Sequence, residues 1–407
     1  MRRSRAWLGL LTVVALVAAA CGDGGTADTD AAPETTAAEA PATTAAETPE
    51  TTAAETPETT AGEAMASLAD VCPDPIVIQT DWFPEAEHGA MYQMVGPDYT
   101  IDAGLKTVTG SLTSGGEDMG VDIEVRTGGP AIGFQSPSTQ MYTDDSITLG
   151  YVSTDEAVLG YADTPTIAVV APLEKNPQII MWDPETYPDY KTIADLGAND
   201  VLIQYFAGGV FMDVFVAQGI LSQDNVDPSY DGSPARFVAE GGAIAQQGFA
   251  SAEPYIYEFE VPEWGKPIAF QLIHDAGFEL YSQPLAIRSG DLETLRPCLE
   301  HLVPIVQQAV VDYVADPSTA NALIVETVET FQDFWVYSQG VADFSIQQQK
   351  DLGLVGNGPD GTVGNMDEAR VQGVIDQIVG AGMTVPDGLT AADITTNEFI
   401  DESIGLG

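Results

Sequence analysis

From residue 66 onward, short apolar runs and longer amphipathic stretches alternate along the chain, whereas residues 22–65 hold almost no apolar side chain beyond alanine. Runs of a few apolar or alternating residues at 76–80, 121–126, 147–152, 166–172, 178–182, 201–206 and 268–273 have the length and period of strands. Helical periodicity predicts helices at 88–95, 210–218, 243–250, 298–314, 318–339 and 366–380, and from Leu292 onward the chain reads as mainly helix. Strands separated by helices imply α/β sheets rich in parallel pairs, with ligand sites beyond the carboxyl ends of the strands.

The first 21 residues carry a different pattern. Arg2, Arg3 and Arg5 precede an apolar stretch too short to span a bilayer, and small residues lead into Cys21. This is the layout of an export signal, expected to be removed as residues 1–20. The run into Cys21 resembles a bacterial lipobox, whose thiol accepts a diacylglyceryl group; Ala18 departs from that pattern, and an ordinary secreted protein with a free Cys21 is the alternative. Residues 22–65 contain no Lys or Arg, and the block TTAAETPE occurs at 43–50 and again at 51–58. Such a segment has too little to bury to offset its chain entropy and is expected to stay disordered. As a tether it would reach roughly 35 Å as a coil and about 140 Å drawn out.

Charge narrows the partners. Sixty-two acidic residues stand against thirteen basic ones, a formal net charge of −49, and three of the basic residues lie in the signal. Nucleic acid and anionic lipid headgroups are poor partners on this balance. No loop of alternating aspartates ending in glycine supplies calcium ligands, and no metal site or cofactor is expected. If Cys21 is lipidated, Cys72 and Cys298 remain, an even pair in an oxidising compartment that is expected to bridge, with two buried free thiols as the alternative.

Six segments, in order, carry a family resemblance. They are residues 77–92 with Thr80-Asp81-Trp82-Phe83-Pro84-Glu85-Ala86-Glu87-His88-Gly89 at their heart, Thr127-Gly128-Gly129-Pro130, Gly150-Tyr151-Val152-Ser153-Thr154-Asp155-Glu156, Lys175-Asn176-Pro177-Gln178, Gln246 to Pro254, and Thr395 to Asp401. Together, over about 76–401, they resemble the NMT1/THI5-like periplasmic binding proteins, the solute-binding components of ABC importers related to nitrate, sulfonate, thiamine-precursor and riboflavin binders. The chain departs from the family pattern at 107–120, which reads as an added hairpin with Ser114-Gly115-Gly116 at its bend. The resemblance implies a two-lobed α/β fold of the periplasmic-binding-protein type II, with helix-flanked sheets and a hinge. Residues 66–175 and 285–407 would form lobe one and 176–284 lobe two, with crossings near 170–180 and 274–290. It further implies a small-molecule ligand, permease subunits as partners, a monomer, and a place outside the cell membrane.

Strand ends then supply the candidate ligand residues. Asp81 and Trp82 follow the first strand, where an indole stacks on a planar ligand and a carboxylate accepts a hydrogen bond. Glu85, His88 and Tyr92 fall on the next turn and helix, with a structural contact the alternative for His88. Gly128 and Gly129 permit close backbone approach or form a plain turn. Ser153, Thr154 and Asp155 end a strand and cap a helix. Tyr205 and Phe206 precede Gly208-Gly209 and a helix start on the second lobe. In the resembled family the segment before Glu253 and Tyr255 borders the ligand, and Asp275 sits at the return crossing as hinge or site.

The carboxylates among these residues lean toward a heterocycle with amine or ring N–H donors, pyrimidine-like or flavin-like, over nitrate or a sulfonate. Two other classes remain. THI5-type relatives are pyrimidine-forming enzymes, but they need a lysine for a Schiff base and, in one branch, a cysteine-rich motif; near His88 the chain offers only Lys106 and Cys72. No catalytic residue is assigned. A surface receptor or adhesion module would use the same tether. The anchor is directly testable: Cys21→Ser is expected to move the protein from the detergent phase to the aqueous phase in a Triton X-114 partition, and an unchanged detergent-phase location would exclude lipidation at Cys21.

Overall fold

The computed structural model describes residues 67–407. The export signal, Cys21 and the tether lie outside the described residues. Twelve strands run in chain order as β1 Ile76–Gln79, β2 Thr100–Asp102, β3 Thr107–Ser114, β4 Glu117–Arg126, β5 Leu149–Tyr151, β6 Thr166–Val170, β7 Gln178–Trp182, β8 Ile203–Gln204, β9 Val226–Asp227, β10 Ala245–Phe249, β11 Ala269–Leu272 and β12 Leu285–Arg288. They form a seven-stranded sheet in the order β2-β3-β4-β1-β5-β12-β6 and a five-stranded sheet in the order β11-β7-β10-β8-β9. Both sheets are mixed. Parallel pairs join β1 to β4 and β5 in the first, and β8 to β9 and β10 in the second.

The strands at the heart of each sheet are apolar on both faces, as helix-covered strands must be. In β7, Ile180 and Trp182 enter one core while Ile179 and Met181 enter another. In β1, Ile76 and Ile78 pack with Leu299, Leu302 and Val306 of the long helix Leu292–Ala315, whereas Val77 faces the opposite core. The two-lobed α/β class expected from the sequence is therefore the observed one. The chain passes between sheets twice, after Val170 and again between Leu272 and Leu285.

Three expectations are corrected. The run 243–250, read as helical, contains strand β10, antiparallel to β7 and parallel to β8. Hydrogen bonding along both edges of a central strand outweighs the weak helical preference of Ala and Gln. The helix expected at 318–339 ends at Phe331, with Gln332 left-handed at its C-cap, and a separate helix Gln339–Asp351 begins behind the cap Ser338, whose Oγ accepts from Val341 N. The hairpin at 107–120 is present, but its second arm and the strand expected at 121–126 are one strand, β4, with Gly115 and Gly116 supplying the positive φ values at the turn.

Cys72 and Cys298 form a disulfide across 226 positions, tying the entry to β1 to the helix Leu292–Ala315. Removing it frees a long loop in the unfolded chain, so the double substitution Cys72→Ser/Cys298→Ser is expected to lower stability by up to about 5 kcal/mol on the chain-entropy estimate. Urea unfolding checks this, and an unchanged midpoint would show that the bridge contributes nothing.

Candidate ligand-binding cleft

β1 is paired on both edges and stops where the chain must turn out of the sheet. Thr80 Oγ1 donates to Trp82 O at 2.8 Å or Arg126 O at 3.0 Å, and Gly128 N donates to Trp82 O at 3.0 Å, so the turn carrying Asp81 and Trp82 is bound to the neighbouring strand end. Gly128 and Gly129 are required by contact. A Cβ on Gly128 would lie 2.2 Å from Thr80 O, and one on Gly129, whose φ is +56°, would lie 2.6 Å from the Trp82 ring. The two glycines seat Trp82 and do not line the cleft.

Trp82 stands among aromatic rings from both lobes. Its ring centroid lies 6.1 Å from those of Phe134 and Trp335 and 6.2 Å from that of Phe206, which follows β8 in the second lobe. These rings border a cavity of about 430 Å³, within the ~300–1,000 Å³ usual for small-molecule sites. Its second-lobe wall includes Gly208, Gly209 and Phe211 at the start of the helix Val210–Ala217, together with Tyr230 and Phe249. A more open hollow of about 780 Å³, bordered by Tyr99, Gly116, Asp312 and Leu323, belongs to the first lobe and holds none of the strand-end candidates.

Five carboxylates line the cavity: Asp81, Glu85, Glu87, Asp155 and Glu253. Asp81 is held from behind. His88 Nε2 lies 2.7 Å from Asp81 Oδ1, and Gln283 Nε2 donates to Oδ2 at 3.1 Å. Burial raises the Glu85 carboxyl well above its usual range, and the charges of Glu87, Asp81 and Glu253 raise it further. Glu87 is raised chiefly by burial; Ser251 Oγ, across the cleft on the second lobe, donates to it and partly offsets the rise. Burial pushes Glu253 up to about 7 although Phe249 N donates to its Oε2 at 2.6 Å. Asp155 is raised by burial as well.

The sequence candidates divide into those at the cavity and those behind it. Asp81, Trp82, Glu85, Ser153, Asp155, Phe206 and Glu253 line it. Ser153 also caps the helix Thr154–Gly160, its Oγ accepting from Glu156 N. His88 is fully buried, with its ring against Tyr151, and supports Asp81 without lining the cavity. Tyr92 is a buried residue of the short helix Gly89–Gln93 and does not reach the cavity. Thr154 binds Tyr281 of the return crossing through backbone and side chain. Tyr205 packs on Phe211. Tyr255 lies against Gly340 and Phe344 of the first lobe, and Asp275 Oδ1 faces Lys175 Nζ at 3.6 Å between the two crossings.

Residues absent from the sequence-derived set also line the cleft: Glu87, Phe134, Tyr230, Gln247, Gln283 and Trp335. Glu87 lies in the turn already singled out. Trp335 was hidden inside the overlong helix expected at 318–339, although the aromatic run Phe334-Trp335 breaks that helix's period. Gln283 and Phe134 sit in loops whose folding depends on distant contacts, so no local signal marks them.

No protein-family model and no curated protein matches the chain. Among solved structures, the chain is similar to the ligand-binding component of an ABC-type import system from Staphylococcus aureus with zinc bound, at 11% identity and TM-score 0.49, covering 80% of this chain and 97% of that one. It is also similar to the alkanesulfonate-binding protein from Xanthomonas axonopodis pv. citri bound to MOPS, at 13% identity and TM-score 0.48, over 80% and 100% of the two chains. The periplasmic aliphatic sulphonate binding protein from Escherichia coli is 14% identical with TM-score 0.49, over 79% and 91%.

The raised carboxyls set a sign for pH dependence. Glu156, raised by burial to about 7, and Glu253 hold protons in the folded chain that they release near 4.5 when unfolded. Folding therefore gains from these groups at low pH, and the gain disappears as pH rises through 7, by up to roughly 3 kcal/mol for each. Thermal unfolding is expected to show a lower Tm at pH 8 than at pH 5, and Glu253→Gln is expected to flatten that difference. A variant with the wild-type pH slope would contradict this assignment.

Proposed function

We propose that this chain is the exported solute-binding component of an ABC importer, anchored outside the cell membrane through Cys21 and closing on a small organic solute. The NMT1/THI5-like resemblance and the expected export signal support that placement. The observation that carries the reading is the cavity itself, enclosed by strand-end loops of two separate sheets that are joined through two crossings. Two crossings permit hinge closure, and a ligand that touches both walls favours the closed state by its differential affinity. The proposed solute is a planar heterocycle with N–H donors, pyrimidine-like or flavin-like: aromatic faces flank it and carboxylates accept from it. A sulfonate or nitrate would have to rely on backbone N–H groups such as those near Gly208 and Gly209, because among the described residues no Lys, Arg or His lines the cavity.

The other classes fit less well. A pyrimidine-forming enzyme needs a lysine at the site, yet Lys106 is engaged with Phe331 O and Asp333. Cys72 is held in the disulfide. An adhesion module has no use for a cavity walled by two lobes.

Native mass spectrometry of protein purified from its own cells is expected to show one small molecule in stoichiometric amount, and its removal is expected to widen the particle in small-angle scattering. Trp82→Ala should weaken retention of that molecule by about 2 kcal/mol, some thirtyfold, through lost ring contact. A chain that carries nothing and keeps one shape under all conditions would defeat the reading.

A further inference from the structure

Five carboxylates line the cavity, and among the described residues no Lys, Arg or His joins them. Its carboxylates come from both lobes: Glu85 and Glu87 follow β1, and Glu253 follows β10. Glu87 is 5% exposed and the Glu85 side chain 15%. Beside them Gln283, 6% exposed, directs its amide nitrogen to Asp81 and leaves its Oε1 without a partner. A buried acceptor without a donor is costly, and like charges brought together in a low-dielectric cleft repel. Among the described residues no three carboxylate, imidazole or thiol groups stand as a metal-binding set. What these groups lack is a compact positive group bearing N–H donors, and the rings of Trp82 and Phe206 present faces that attract a cation or stack on an aromatic body.

Resting on the solute-binding reading above, we infer that the solute is an organic cation, a protonated amine or amidine on a ring, whose charge lies among Glu85, Glu87 and Glu253 with Gln283 Oε1 as an additional acceptor. Because these carboxylates belong to opposite lobes, the ligand's charge is itself the force that favours closure. In the empty cleft the raised carboxyls keep their protons, and a bound cation draws negative charge onto both walls at once.

The test uses the full chain and matched probes on phenyl, indole and pyridine rings, each as an ammonium, an alcohol and a sulfonate. Binding is read by calorimetry and thermal shift at pH 7.5 in low and raised salt. At least one ammonium probe is expected to bind tenfold or more tightly than its alcohol, to weaken as salt rises, and to compact the particle in scattering. Glu85→Gln is expected to weaken that ammonium at least tenfold and its alcohol far less, while the probe-free protein still unfolds cooperatively; this split separates lost charge from a damaged fold. An alcohol or sulfonate that binds as well as its ammonium partner would overturn the cationic assignment and leave the solute-binding reading intact. If none of the probes binds and the protein purified from its own cells carries no small molecule, both readings fall together.

Discussion

The geometry of the cleft depends on one constraint: β1 has no freedom. It is hydrogen-bonded on both edges to parallel neighbours and buried on both faces in two different cores. A strand held in this way cannot readily shift register, since a one-residue slip would break both hydrogen-bonded edges and exchange the side chains that fill the two cores. Its end therefore delivers Asp81 and Trp82 to a fixed place. The glycines at 128 and 129 then allow the next strand's exit loop to lie directly beneath the indole. Rigid strand ends with aromatic and acidic tips form one wall, and the second sheet repeats the arrangement with Phe206 and Glu253.

A second network governs how the two walls relate. Arg370, on the helix Glu368–Gly380 of the first lobe, reaches both crossings. Its Nη1 donates to Glu174 Oε1 at 2.9 Å, its Nη2 to Leu280 O at 3.1 Å and its Nε to Glu279 O, while the guanidinium lies 3.8 Å above the Tyr281 ring. The planar fork of an arginine suits this multiple role in a way a lysine would not. Across the mouth, Ser251 to Glu87 and Phe206 beside Trp82 are contacts that exist only while the lobes are together. The crossings are thus braced on one side of the cleft, and weak polar and aromatic contacts close the other.

Much of this was legible in the residues. β7 and β1 are continuous apolar runs, and a strand buried on both faces leaves that trace in sequence. Asp81, Trp82 and Ser153 follow strands or precede helices, so position placed them at the cleft, whereas Glu253 was reached only through the family resemblance, its strand having been read as a helix. What escaped was tertiary in origin. β10 contains Gln246, Gln247 and Gly248, whose fit in the sheet comes from Tyr257 and Phe206 as hydrogen-bond partners and from the close seating of Glu253 on Gly248. Gln283 reaches Asp81 across 202 positions, a pairing that no local pattern announces. His88 and Tyr92 were placed on the right turn but face the interior, because a short helix with two buried flanks gives no clear polar side.

The bridge between Cys72 and Cys298 has a mechanical consequence. Any pull transmitted along the backbone from the preceding residues arrives at Cys72 and crosses at once into the long helix of the first lobe. Neither crossing carries that load. The disulfide thus keeps strain that enters at Cys72 within the first sheet's own core.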